Sequence, residues 1–319
     1  MGHYDYSSPL HTVLLANFYF SPRIQQTIAM IKLLALDLDG TLLDSAGKIP
    51  DANREAIRAA EEQGVLVTIA TGRRFRDARP VGLELELNAP LVTHNGGLLK
   101  FAQSLETVAY SLIGHETSLE ILRVGKDFGG DALVSTDPVG KGMLLYDRVS
   151  LDNVPLQKYI YWSKRLHGPE AEESVIHVES LEEIIADHDV IHISFSGSCL
   201  LMKEMECVLV KELGDSVNVL ATIYPELDFT LIDILPPDAS KGRGLEKLTE
   251  IEGLTPENVM VIGDNFNDLE MLEFAGTPVV MGNADSSLLE RPEFYTTVTN
   301  NQGGVAVAIY RHILEQEKL

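Results

Sequence analysis

A chain of 319 residues with 45% hydrophobic and 23% charged side chains is long enough for about two domains, each burying a core. Its formal charge of −23 would repel a phosphate backbone over most of the surface, which argues against a nucleic-acid partner. Two cysteines, Cys199 and Cys207, are too few for a disulfide framework and read as buried thiols in a reducing, cytoplasmic setting. No apolar run approaches the roughly 18 residues of a membrane span.

In chain order, Val13 to Phe20 is apolar but lacks a basic segment before it and a small-residue cleavage site after it, so it does not read as a signal peptide. Residues 1–30 are expected to be a poorly ordered extension, and a chain beginning at Met30 is expected to keep its activity. Leu33-Leu34-Ala35-Leu36 then reads as a strand buried on both faces. It stops on Asp37-Leu38-Asp39-Gly40-Thr41. Residues i and i+2 of a strand share a side, so Asp37 and Asp39 are expected to converge at its carboxyl end, where open α/β sheets bind ligands. Two close carboxylates ask for a cation; the alternative is that Asp and Gly only supply turn chemistry here.

A helix opening at Pro50 and Asp51, with Ala56, Ile57 and Ala60 on one face, closes at Gly64. Val65 to Ala70 is a second buried strand ending in Thr71-Gly72-Arg73. That tripeptide suits either an anion site or a helix cap with a turn glycine. A third strand, Leu91-Val92-Thr93, precedes His94-Asn95-Gly96-Gly97, where the histidine reads as a loop residue. From residue 98 to 235 strand-like runs at 132–135, 143–146, 190–195 and 229–234 alternate with helices less regularly, as in a second α/β domain inserted into the first. A helix is expected from Ser198 to Gly214. His188 and His192 are four apart, but a strand begins between them, so they read as structural or exposed and not as metal ligands.

Pro236-Pro237 forms a stiff joint, and Ser240-Lys241-Gly242 starts a helix bearing Leu245 and Leu248. A lysine in the first helical turn opposes the macrodipole, which makes sense beside an anion or as a plain surface residue. Val259 to Ile262 is another buried strand, ending in Gly263-Asp264-Asn265-Phe266-Asn267-Asp268. Strands at 278–282 and 296–298 and a helix from Gly304 to about Glu317 close the chain.

The ordered set Asp37-x-Asp39-Gly40-Thr41, Thr71-Gly72-Arg73, Lys241-Gly242 and Gly263-Asp264-x-x-Asn267-Asp268 resembles the four motifs of haloacid dehalogenase-like phosphatases, and within them the Cof-type sugar-phosphate phosphatases. The resemblance implies a Rossmann-like parallel-sheet core (31–97 and 236–319) with helices on both faces, and an inserted α/β cap (98–235) that sets substrate specificity. It implies Asp37 as nucleophile forming an aspartyl-phosphate and Asp39 as general acid and then base. Mg²⁺ would be held by Asp37, the backbone carbonyl of Asp39, and Asp264. Thr71, Gly72 and Lys241 would hold phosphoryl oxygens, Arg73 would reach the substrate, Asn267 would lie at the phosphate, and Asp268 behind the metal ligands. The expected substrate is a small, sugar-phosphate-like metabolite. A phosphotransferase or mutase using the same intermediate is one alternative; a receiver-like phosphorelay module is another, disfavoured because a module that keeps its phosphate has no use for Asp39.

Overall fold

Strand β1 (Leu33–Leu36) decides the architecture, because all four of its side chains are buried and successive ones must be covered on opposite faces. In the computed structural model, which describes residues 30–315, Leu34 and Leu36 pack on one face with Ile57 and Ala60 of α1 (Asp51–Glu62) and with Val305 and Ile309. Leu33 and Ala35 pack on the other with Leu245, Leu248, Met271 and Leu272. The expectations for residues 1–29 and for the last turn of the terminal helix lie outside the described residues.

β1 is flanked in parallel by β2 (Leu66–Ile69) on one side and by the strand Val259–Gly263 on the other. Strands Thr277–Val280 and Tyr295–Thr296 extend the sheet beyond Val259–Gly263, giving a five-stranded parallel sheet with helices on both faces. The fold is thus an α/β parallel-sheet core. The last strand is displaced by a residue or two from the expected 296–298.

A hairpin follows the third strand. β3 (Leu91–Thr93) continues antiparallel into β4 (Leu98–Lys100) and β5 (Thr107–Tyr110). Leu98 packs in the cluster of Leu34, and Leu99 in that of Leu33, so this hairpin shares the first core.

Helix α3 (His115–Asp127) follows, then β6 (Asp131–Thr136), β7 (Met143–Tyr146), helix α4 (Val154–His167), β8 (Val175–His177), β9 (Val190–Gly197), β10 (Asn218–Tyr224) and β11 (Phe229–Leu235). They form one six-stranded sheet, ordered β10-β11-β9-β6-β7-β8 and antiparallel except for β7 with β8. One face is sealed by α3 and by the helix Cys199–Leu213 over Val134, Ile193, Phe195, Ile232 and Ile234. On the opposite face α4 covers Leu133 and Leu144. Strand alternation sends His192, Ser194, Leu231 and Asp233 to that same second face. Cys207 is exposed and Cys199 half-buried, so the expectation of two buried thiols fails. Among the described residues no helix is long and apolar enough to cross a membrane.

Candidate active site

The four motifs meet at the carboxyl ends of the parallel strands. Asp37 continues the ladder one step beyond β1, its amide donating to the Ile262 carbonyl at 2.9 Å. The chain then turns at Gly40, whose φ of +86° and closeness to Asp264 both demand glycine: a Cβ there would lie 2.3 Å from the Asp264 carboxylate. The two motif carboxylates therefore do not share a strand face as the period of two suggests. Asp37 is 5% exposed, while the Asp39 side chain is 59% exposed and takes a bidentate pair from Arg73 at 2.7 and 2.6 Å.

Lys241 opens its helix under a Ser240 cap and is 2% exposed. Its ammonium donates to Asp37 Oδ1 and Asp268 Oδ1, both at 2.6 Å. Burial alone would pull this lysine down, but Asp268 and Asp37 hold it above its ordinary value. The lysine that ran against the helix dipole is thus explained by carboxylates. Asp268 is fully engaged, since its other oxygen accepts the amides of Asp264 and Asn265 at 2.9 and 3.0 Å. Thr41 donates its hydroxyl to Asp264 at 3.1 Å.

Asp37, Asp264 and Asp268 can bring carboxylate oxygens within 4.8 Å of one another. Burial, and then Asp268, push the Asp37 carboxyl well above the usual range despite Lys241. The same two causes push Asp264 up to about 6. Three buried or half-buried carboxylates around one ammonium carry excess negative charge, and a set of hard oxygen donors is what a divalent cation would neutralise. Asp39 does not contribute its carboxylate to this cluster.

Thr71 follows β2, and its hydroxyl accepts the Arg73 amide at 3.1 Å. The loop 71–73 is braced from below by residues after β3: the Asn95 amide donates to the Thr71 carbonyl and the His94 amide to the Arg73 carbonyl, each at 3.0 Å. Gly72 packs on the Asn95 side chain. Asn267 sits half-buried in the turn Phe266–Asp268.

Sequence reasoning missed two groups that join the second sheet to this site. Arg74 and Asp77, at the start of α2 (Phe75–Glu84), form a buried ion pair at 2.8 Å, and Asp77 also receives bonds from Tyr159, Ser163 and His167 of α4 at 2.8, 3.1 and 2.8 Å. Although burial opposes it, Arg74 and these donors hold Asp77 well below the usual carboxylate range. Beside them the Arg73 guanidinium lies 5.4 Å from the Trp162 ring. In the second group, Asp233 of β11 binds His192 of β9 at 2.8 Å and stands 3.4 Å from the Asn95 amide nitrogen. His192 is therefore structural, as its strand position suggested, and His94 is a buried brace instead of a loop residue. The signal for Asp233 was present: it is a lone charge in an otherwise apolar strand.

The chain is 30% identical over 291 residues to the 5-amino-6-(5-phospho-D-ribitylamino)uracil phosphatase YcsE of Bacillus subtilis, spanning 91% of this chain and 99% of that one. It is 29% identical over 291 residues to the pyridoxal phosphate phosphatase YbhA of Escherichia coli, spanning 89% and 99%. A solved haloacid dehalogenase-like hydrolase from Bacteroides thetaiotaomicron superposes with a TM-score of 0.73 at 28% identity, over 88% of this chain and 99% of its own. The family model described as haloacid dehalogenase-like hydrolase matches residues 34–309, and the chain belongs to that family.

Proposed function

We propose that the protein is a Mg²⁺-dependent phosphatase that hydrolyses a small phosphorylated metabolite through an aspartyl-phosphate on Asp37, with residues 111–235 acting as a cap over the site. The observation that carries this reading is the buried Asp37 carboxylate at a strand end, touching the Lys241 ammonium and facing Asp264. The phosphatase names of the relatives support the same class of substrate.

In this reading an Asp37 oxygen forms a bond to phosphorus as the ester bond to the leaving oxygen breaks. Asp39 gives its proton to that oxygen and then takes one from the water that cleaves the acyl phosphate, returning Asp37 and releasing phosphate. Lys241, the Thr71 hydroxyl and the Gly72 amide hold the phosphoryl oxygens. Arg73 must release Asp39 first, and a substrate phosphoryl group competes for the guanidinium directly.

Oxygen ligands from Asp37, Asp264 and the Asp39 carbonyl fit Mg²⁺. When bound, the ion would neutralise Asp37 and draw charge from the phosphoryl oxygens. Asp268 acts behind them, fixing Lys241 and the Asp264 loop. Asn267 lies toward the phosphate.

The test is phosphate release from a panel of phosphorylated metabolites with Mg²⁺ present, using Asp37→Asn as control. Turnover by the native chain and none by the variant is expected; equal turnover would overturn the assignment.

A further inference from the structure

The second face of the six-stranded sheet is covered by two different elements. α4 seals its β6–β7 side, while β9 and β11 turn toward the core loops. Register places Ser194 opposite Asp233, in one row across the sheet. Asp233 is 8% exposed and its partners are a histidine ring nitrogen and, more distantly, a carboxamide. Among the described residues no lysine or arginine pairs with Asp233, whose ionic partner is His192. A buried carboxylate without a lysine or arginine therefore stands one residue layer from the loop 71–73.

Two further observations concern the polar groups around it. Asn95 is 2% exposed and lies against Gly72, and its Oδ1 is without a hydrogen-bond partner, as is Nδ1 of His192 on the other side of Asp233. Buried polar atoms are rarely left unpaired, so two around one carboxylate mark a place built for polar contact. The Tyr224 phenol, at the end of β10, is raised by burial and by the negative charges of Asp39 and Asp233.

We propose that Asp233, oriented by His192 and flanked by Asn95, is a specificity-determining residue that accepts a hydrogen bond from a hydroxyl of a neutral leaving group and rejects leaving groups bearing a second phosphate. The proposal rests on the phosphatase reading above. A charged acceptor rewards a hydroxyl donor strongly, and a second anion beside Asp233 finds repulsion and, among the described residues, no lysine or arginine paired with that carboxylate.

The experiment compares kcat/KM for sugar and polyol monophosphates, the corresponding bisphosphates and p-nitrophenyl phosphate, in the native chain and in Asp233→Asn. This substitution is isosteric and retains an acceptor for His192. The native enzyme is expected to favour its best monophosphate over the matching bisphosphate by about tenfold or more. Asp233→Asn should lose about tenfold on that monophosphate, mainly through KM. Its loss on p-nitrophenyl phosphate should be several-fold smaller, and the gap to the bisphosphate should narrow. Asp233→Glu, which keeps the charge, should restore part of the discrimination, and thermal melting checks that both variants fold. Equal use of bisphosphates by the native enzyme, equal losses on all three probes, or release from p-nitrophenyl phosphate alone would overturn this proposal and leave the phosphatase reading standing. No phosphate release from any probe would overturn both.

Discussion

The Lys241 ammonium lies 2.6 Å from the Asp37 carboxylate although the residues are 204 positions apart in the chain, and it holds Asp268 at the same distance. One buried cation thus organises carboxylates from two motifs. Replacing it with alanine leaves them uncompensated, and breaking such a buried pair costs about 3–5 kcal/mol. Lys241→Ala should therefore lower the denaturation midpoint of the metal-free protein. Added Mg²⁺ should recover part of that loss, because the ion replaces missing positive charge. An unchanged midpoint would remove Lys241 from this role.

Asp37→Asn keeps the shape of the side chain and removes one of three crowded negative charges. Turnover should fall to background, while the folded structure persists. A circular dichroism spectrum matching the native chain, together with absent phosphate release, is the expected pair of results.

Metal affinity should depend on pH with a defined sign. Asp264 is pushed up to about 6 by burial and Asp268, so below that pH a proton competes with the cation for the same carboxylate. Mg²⁺ binding measured by calorimetry should weaken as pH falls from 7.5 to 5.5 and should release protons near pH 6. A flat affinity across this range would contradict the assignment of Asp264 as ligand.

The Asp77 cluster should be a stability determinant without contact with the reacting atoms. Asp77→Ala strands the buried Arg74 and removes the acceptor used by Tyr159, Ser163 and His167, so a loss of about 3–5 kcal/mol is expected. Tyr159→Phe removes one donor and should cost only about 1 kcal/mol. Urea denaturation measures both.

His94 supplies a pH effect of opposite origin to a salt bridge. Burial, then His192 and Arg74, hold its imidazole well below 6.5, so it stays neutral in the folded chain while the unfolded chain takes up a proton. The unfolded state binds more protons below pH 6.5, and stability is lost as pH falls, by up to about 1.4 kcal/mol per pH unit. His94→Gln should flatten this part of the pH profile of the melting temperature.

The parallel core was legible because each buried strand carries its own punctuation: Leu36 gives way to Asp37, Ala70 to Thr71, Ile262 to Gly263-Asp264. Lys241 was legible for the converse reason, a charge in a place that helix electrostatics disfavour. Asp39 was misplaced because the period of two holds only while the strand continues, and the turn at Gly40 ends it. The Asp77 cluster could not be read, since its partners on α4 lie 82 to 90 positions away and each is an ordinary polar residue of an amphipathic helix. Cys207 was misjudged because it was read by residue type and count alone, whereas it lies with the exposed Val210 on the outer side of its helix.

Arg74 caps α2 directly after the loop 71–73 and Asp77 lies in the first turn of that helix, so the second sheet is moored beside this loop through α4. The second mooring reaches the same place, because Asp233 stands 3.4 Å from the side-chain nitrogen of Asn95 and the Asn95 backbone amide holds the Thr71 carbonyl. A displacement of the second sheet would then be felt by the loop 71–73 from two sides at once.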